Sequence, residues 1–255
     1  MREDPAGGAQ APSVLWKAFD VLGAFSHRRR VLTLAEISRS SGLPKSTAHR
    51  VLAMLTEVGA VEQVDGGYRI GLRMFSMGTL PPESALREAA LPHLEELHRV
   101  TGQTLHLAIL RDADVVYLEK LPPRRAGIAM PSVIGDRLPA TCTGVGKVLL
   151  AFSPGDVASA ALAGPLERRT ARSLGSLAEV RRELDVIRDR GHAFDREEAT
   201  AGVACAAVPV LTESGRVVAA ISVAYPAAAG SGQALVTPLR ETAAAISRSP
   251  ALRNA

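Results

Sequence analysis

Between Lys17 and Arg50 the chain carries seven basic side chains (Lys17, Arg28, Arg29, Arg30, Arg39, Lys45, Arg50) against two acidic ones, Asp20 and Glu36. Positive charge gathered in so short a segment is what neutralising a row of phosphates requires. The excess is local: residues 1–80 hold ten Lys and Arg against seven Asp and Glu, while residues 81–255 hold twenty against nineteen. A solvated arginine turn at 28–30 accounts for the charge alone equally well. The order of residues after Lys45 is more specific. On a helix advancing about 100° per residue, Ser46, His49, Arg50, Ala53 and Glu57 share one side, and Ala48, Val51, Leu52, Leu55 and Val58 share the other. One face is apolar and can be anchored; the other offers a hydroxyl, an imidazole and a guanidinium near the helix N-terminus. Arg50 is suited to a bidentate contact with guanine, and Ser46 and Thr47 to a phosphate or a base edge. Lys45 is placed to meet backbone phosphate, and Arg69 the neighbouring minor groove or phosphates.

Catalytic patterns are missing from the same sequence. The six histidines (27, 49, 93, 98, 106, 192) show no HExxH spacing, and His93 and His98 stand five apart rather than four. No G-x-S-x-G elbow occurs. Gly144-Val145-Gly146-Lys147 resembles a phosphate loop only superficially, because Thr141 stands where the Walker pattern needs its first glycine and Val148 follows the lysine. Leu149 likewise occupies the third glycine position of a dinucleotide fingerprint. Two cysteines, Cys142 and Cys205, make neither a disulfide framework nor a four-thiolate zinc site. The expectation is therefore a protein that is not an enzyme, with no cofactor and no metal.

The elements that must hold these groups follow from caps and periodicity. A length of 255 residues with 47% hydrophobic content suits one or two packed domains. The start, MREDPAGGAQAP, has no apolar core of a secretory signal and is expected to be disordered over 1–12. The longest apolar stretch, Val217–Tyr225, is about half of what a bilayer-spanning helix needs, so a cytoplasmic protein with no membrane partner is expected. Apolar residues at helical spacing run from Val14 to Phe25. Thr33 with Glu36 forms a capping-box signature opening a helix to Ser41, stopped by Gly42, and Pro44 opens the next helix to Gly59. Ala60–Val64 and Tyr68–Ile70 about Asp65-Gly66-Gly67 predict a hairpin. Three short helices and a hairpin are the parts of a winged helix-turn-helix, assigned to 13–78. Pro81-Pro82 marks a boundary, and the predicted linker helix covers 79–101, with Leu86, Ala90, Leu94 and Leu97 on one side. Strands are predicted at Thr104–Leu110, Asp114–Leu121, His192–Asp195, Val203–Leu211 and Arg216–Tyr225. Helices are predicted at Thr143–Phe152, Pro154–Leu162, Leu177–Arg190 and Ala234–Ser247. The fold class is α+β.

The segment TLAEISRSSGLPKSTAHRVLAMLTEVGAVEQVDGGYRIGLRMFSMG resembles the DNA-binding domain of the IclR family of bacterial transcriptional regulators. The resemblance continues through LREAALPHLEELHRVTGQTLHLAIL, DADVVYLEKL, TGVGKVLLAF, GHAFDREEATAGVACAAVPV and GRVVAAISVAYP, covering about 14–248. It implies a GAF-like effector-binding domain over 102–250, promoter DNA and a small organic acid as partners, and a homodimer or homotetramer. By position, the resemblance implies that the backbone amides of Gly144 and Val145 meet the effector's acidic group. Asp195, Cys205 and Ser222 would supply polar side chains, and Met130, Leu138 and Val203 apolar wall. Two departures from the family pattern stand out: Ser222-Val223-Ala224 replaces Ser-x-Ser, and Thr141 stands where His is common. The missing hydroxyl points to a larger or less polar effector, such as an aromatic acid. The alternative to a regulator is a small-molecule enzyme on the same GAF-like fold carrying an incidental helical domain.

Overall fold

The computed structural model describes residues 13–26, 29–124 and 132–252. The expected disorder of 1–12 and the candidate residues Arg28 and Met130 lie outside the described residues. The chain divides into two compact units, Met1–Pro81 and Pro82–Ala255.

In the first unit, helices α1 (Val14–Leu22), α2 (Leu34–Ser41) and α3 (Lys45–Glu57) precede a hairpin of β1 (Val61–Val64) and β2 (Gly67–Ile70), then helix α4 (Leu72–Gly78). Thr33 caps α2 through a complete capping box: its hydroxyl accepts from the Glu36 N–H, and the Glu36 carboxylate accepts from the Thr33 N–H at 2.8 Å. Gly42, at φ 71°, ends α2 in the left-handed conformation that glycine adopts at least cost. The Ser38 hydroxyl then donates to the Leu43 carbonyl at 2.7 Å and closes the turn into α3. Val21, Leu32, Ile37, Val51, Leu52 and Leu55 form the core.

Two details depart from the sequence pattern. α1 stops at Leu22 rather than Phe25, because Ala24 and Phe25 bond back to Val21 and Leu22 in a tighter turn. Val58 is 49% exposed, since α3 ends at Glu57 and the helical face no longer governs it. The wing also gains a bridge not predicted from sequence, in which Leu32 and Tyr68 exchange both backbone bonds, at 3.0 and 2.8 Å. Gly67 makes that approach possible, since a Cβ there would sit 2.2 Å from the Leu32 carbonyl oxygen.

The second unit begins with α5 (Pro82–Thr101) and strands β3 (Thr104–Arg111), β4 (Asp114–Leu121) and β5 (Arg137–Pro139). After a short turn at Ala140–Cys142 come α6 (Gly144–Phe152), α7 (Gly155–Ala161) and α8 (Leu177–Arg190). Strands β6 (Ala193–Arg196), β7 (Val203–Leu211) and β8 (Val217–Pro226) and helix α9 (Val236–Ser247) complete it. The sheet order is β5-β4-β3-β8-β7-β6, with antiparallel neighbours throughout. β5 was not predicted; three residues with a proline carry no alternation to detect.

Strand alternation sends side chains to opposite faces of this sheet. Leu105, Leu107, Ala206, Val208, Ile221 and Val223 join Leu86, Ala90, Leu94 and Leu97 of α5 and Leu239 of α9 in one core. Ala108, Val115, Tyr117, Ala207 and Ala220 face the other way, into a core with Val145, Val148 and Leu149 of α6 and Val180 and Leu184 of α8. The result is a three-layer α+β architecture. Among the described residues, no helix is long and apolar enough to cross a membrane.

Candidate nucleic-acid interface and ligand pocket

α3 presents the two faces its sequence implies. Ala48, Val51, Leu52 and Leu55 are buried, whereas Lys45, Ser46, His49 and Arg50 are exposed and Thr47 is half-buried. No acidic residue occupies its first turn, so the exposed N-terminal end combines the positive helix terminus with Lys45 and Arg50, a combination suited to phosphate and base edges. Arg29 and Arg30 are exposed, and the Arg29 guanidinium lies 3.4 Å from the Ser40 hydroxyl of α2. Arg69 differs from expectation. It is exposed on β2, but its guanidinium is paired with Glu62 at 2.7 and 2.8 Å, directly opposite on β1. A phosphate reaching Arg69 must compete with that carboxylate. The pairing was legible, because counting outward from the Asp65-Gly66 turn places 62 opposite 69.

In the second unit, a narrow cavity lies between the N-terminus of α6 and the sheet. Gly144, Val145, Leu138, Asp195, Cys205 and Ser222 all line it. Val203 does not: it opens β7, where it packs with Cys205 and Ala224 in a small separate cluster. Sequence reasoning missed His106, Tyr117, Ser132, Thr143, Ala199 and Thr200, which complete the lining among the described residues.

The geometry around α6 is tight. The Thr143 hydroxyl caps the helix by accepting from the Gly146 N–H at 3.0 Å. A Cβ on Gly144 would lie 3.3 Å from that of Ala207 and 3.6 Å from that of Cys205, so the glycine brings the first-turn backbone close to the sheet. A Cβ on Gly146 would fall 2.2 Å from the Ala140 carbonyl oxygen. Both glycines serve close approach rather than flexibility. Amides at such a helix start are free to meet an anion.

Opposite them, Asp195 and Cys205 are cross-strand partners on β6 and β7. Burial pushes the Asp195 carboxyl up to about 7, against the lowering effect of the Glu198 N–H, which donates to it at 2.7 Å. Burial also pushes the Cys205 thiol upward, so it stays protonated. The buried His106 imidazole is pushed down to about 3, first by desolvation and then by the Lys120 charge, and is neutral at ordinary pH. Burial raises the Tyr117 hydroxyl as well. Apart from Asp195 above neutrality, the cavity's titratable lining is uncharged.

A buried ion pair braces the turn that carries Asp195. The Lys147 side chain is 1% exposed, and its ammonium meets both Glu198 oxygens at 2.6 and 2.9 Å, with Glu183 at 3.5 Å. Glu197, between them, holds φ at 65°, a left-handed conformation unusual for a non-glycine residue. Arg172 at 2.5 Å and the Gly202 N–H at 2.8 Å hold its carboxylate.

The chain matches the family described as "IclR helix-turn-helix domain" over residues 14–65 and "Bacterial transcriptional regulator IclR C-terminal" over residues 82–248. It is 38% identical to the HTH-type transcriptional regulator XynR of Escherichia coli (strain K12), an alignment covering 81% of this chain and 83% of that one. It is 33% identical to the DNA-binding transcriptional repressor YiaJ of the same organism, covering 96% and 89%. Among solved structures, an IclR homolog from Microbacterium hydrocarbonoxydans complexed with 4-hydroxybenzoate superposes with a TM-score of 0.83 at 30% identity, over 95% of this chain and 100% of that one. The IclR of Thermotoga maritima gives 0.76 at 29%, over 92% and 97%. The chain belongs to the IclR family of bacterial transcriptional regulators.

Proposed function

We propose that the exposed face of α3 reads promoter DNA in the major groove and that the α6–sheet cavity binds a small organic acid that changes operator affinity. The observation that carries the first part is the division of α3, with Ser46, His49 and Arg50 open to solvent and the apolar face buried. Lys45 and Arg30 add phosphate contacts, and Arg69 joins them by exchanging Glu62 for phosphate. The second part rests on Gly144 and Val145, at the start of α6, lining the cavity, and on the similar Microbacterium hydrocarbonoxydans protein, which holds 4-hydroxybenzoate. An aromatic or comparably sized carboxylic acid is the effector class. The protein acts in the cytoplasm as a transcriptional regulator rather than as an enzyme.

Self-association accompanies this role. Leu15, Trp16 and Phe19 on α1 and Leu72 and Phe75 on α4 are exposed apolar side chains, a feature of interaction surfaces. The state is a homodimer or homotetramer, and light scattering that returned a monomer mass would refute it.

Fluorescence anisotropy on DNA upstream of the protein's own gene, at two salt concentrations, tests the DNA assignment. Affinity should fall steeply with salt, and Arg50→Ala should cost about 1–3 kcal/mol on the preferred sequence. Unchanged affinity in that variant would remove α3 as the reading helix.

A further inference from the structure

The wing carries little positive charge for an element that touches DNA. Between Gly59 and Gly71 the sequence has one cation, Arg69, against Glu62 and Asp65. That cation is already taken. Glu62 and Arg69 are cross-strand partners on β1 and β2, and one Glu62 oxygen lies 2.8 Å from the guanidinium Nε and 2.7 Å from an Nη. The other oxygen accepts from the Leu72 N–H at 3.1 Å, at the start of α4, where Gly71 has no side chain to cap the helix. The Glu62 carboxylate is thus fixed from two elements at once. Arg69, and then the Leu72 N–H, hold its carboxyl below the usual carboxylate range, so it stays ionised at neutral pH.

Arg69 nevertheless points outward. Tyr68 packs on the core of the first unit and exchanges backbone bonds with Leu32. Alternation turns Arg69 to the opposite face, where its side chain is 56% exposed. Leu32 follows Arg29 and Arg30 by three and two residues, so the bridge sets this strand beside the basic turn. A guanidinium held there without a partner would meet phosphate on any duplex. A phosphate, however, offers Arg69 the kind of charged, two-donor contact that Glu62 already supplies, and taking it leaves a bare carboxylate beside a polyanion. On DNA of arbitrary sequence the exchange gains next to nothing.

We propose that Glu62 is a positioning residue that withholds Arg69 from DNA phosphate, so that the wing adds nothing to affinity for DNA of arbitrary sequence. This rests on the reading that the wing lies against DNA, and it adds to that reading a residue that regulates the contact.

Fluorescence anisotropy of the full chain on a labelled duplex of arbitrary sequence, across a series of salt concentrations, tests this. Glu62→Gln keeps an oxygen for the Leu72 N–H but has no charge with which to hold Arg69. It should tighten binding about two- to fivefold, the strength of an exposed pair. The slope of log affinity against log salt should steepen by about 0.9, the mark of one more phosphate neutralised. Two controls separate that contact from the loss of a negative charge. Asp65→Asn on the same hairpin, and Glu62→Gln added to Arg69→Ala, should each leave the slope of the parent nearly unchanged, because neither frees a cation to displace a counterion. An unchanged or shallower slope in Glu62→Gln, or an equal steepening in either control, would overturn the proposal. Asp65→Lys separates that failure from failure of the wing assignment, since it puts an unpaired cation on the same hairpin. If Asp65→Lys steepens the slope and Glu62→Gln does not, only the role of Glu62 is wrong. If neither does, beside a steep wild-type slope, the wing itself does not lie against DNA and the proposal falls with it.

Discussion

Asp195 and His106 line one cavity, and their titrations should oppose each other in the stability of the second unit. The Asp195 carboxyl moves from an ordinary 3.8 up to about 7 on burial. Between those values the folded state keeps a proton that the unfolded chain has lost, so this group's contribution is present at low pH and declines as pH rises through the window. The slope approaches about 1.4 kcal/mol per pH unit, or about 4 kcal/mol across the window. The His106 imidazole moves from 6.5 down to about 3. Between those values the unfolded chain holds the extra proton, so stability rises with pH, by about 5 kcal/mol in total. From roughly pH 4 to 6.5 the two slopes nearly cancel, and the wild type conceals both. Asp195→Asn removes one of them. The wild-type-minus-variant difference in unfolding free energy should fall by about 3 kcal/mol between pH 4.5 and 6.5; the corresponding His106→Leu difference should rise by a similar amount. Urea unfolding followed by circular dichroism reads both, whereas fluorescence does not, because the single tryptophan, Trp16, belongs to the first unit. A flat Asp195→Asn difference would show the carboxylate ionised throughout, in a cavity wet enough to solvate it, and the argument from burial would fail.

Two further substitutions probe the frame of the pocket. Gly146→Ala puts a methyl 2.2 Å from the Ala140 carbonyl oxygen. Backbone must shift, at a cost of about 3 kcal/mol, while Gly155→Ala, whose Cβ meets open space, should be close to neutral; thermal unfolding of the two side by side checks the contrast. Lys147→Met strands Glu198 without its cation and should cost about 3–5 kcal/mol. Adding Glu198→Gln to that variant should recover part of the loss, and equal melting temperatures for the single variant and the wild type would show that the pair contributes nothing.

The first unit was largely legible because its signals are local. A Thr with a Glu three residues on, a Gly at the end of a periodic run and a Pro at the start of the next each fix a helix boundary through one or two hydrogen bonds. The faces of α3 follow from spacing alone. What escaped was non-local: the Leu32–Tyr68 bridge joins residues 36 apart in sequence, and β5 is too short to show alternation. The pocket divides in the same way. Gly144, Val145, Asp195, Cys205 and Ser222 came from a resemblance, not from physics. His106 and Lys147 did leave a physical trace, since each is a titratable residue inside an otherwise apolar run, Leu105–Leu110 and Val145–Phe152. A buried polar group demands a partner, but nothing local says that the partners are Ser132 and Glu198, 26 and 51 residues away.

One sheet separates the cavity from α5, and its pleat ties the two faces together. On β3, His106 points into the cavity while Leu105 and Leu107 pack in the same core as Leu86, Ala90, Leu94 and Leu97 of α5. On β8, Ser222 lines the cavity floor between Ile221 and Val223, which face that core. Charged contacts fasten α5 to the strands, with Arg87 paired to the buried Glu119 of β4 at 2.6 Å and Glu83 paired to Arg111 of β3. A close-packed interior does not absorb displacement gradually. A ligand that moves β3 or β8 by a fraction of an ångström must therefore repack leucines under α5 or leave them unpaired. The energy available for that repacking is the ligand's difference in affinity for the two packings and nothing more. Tight binding alone is insufficient: an acid gripping only the α6 amides equally in both states would shift no equilibrium. The strands carry His106 and Ser222, so contacts at that end of the cavity, rather than at the helix terminus, are the ones able to tell one arrangement of the sheet from another.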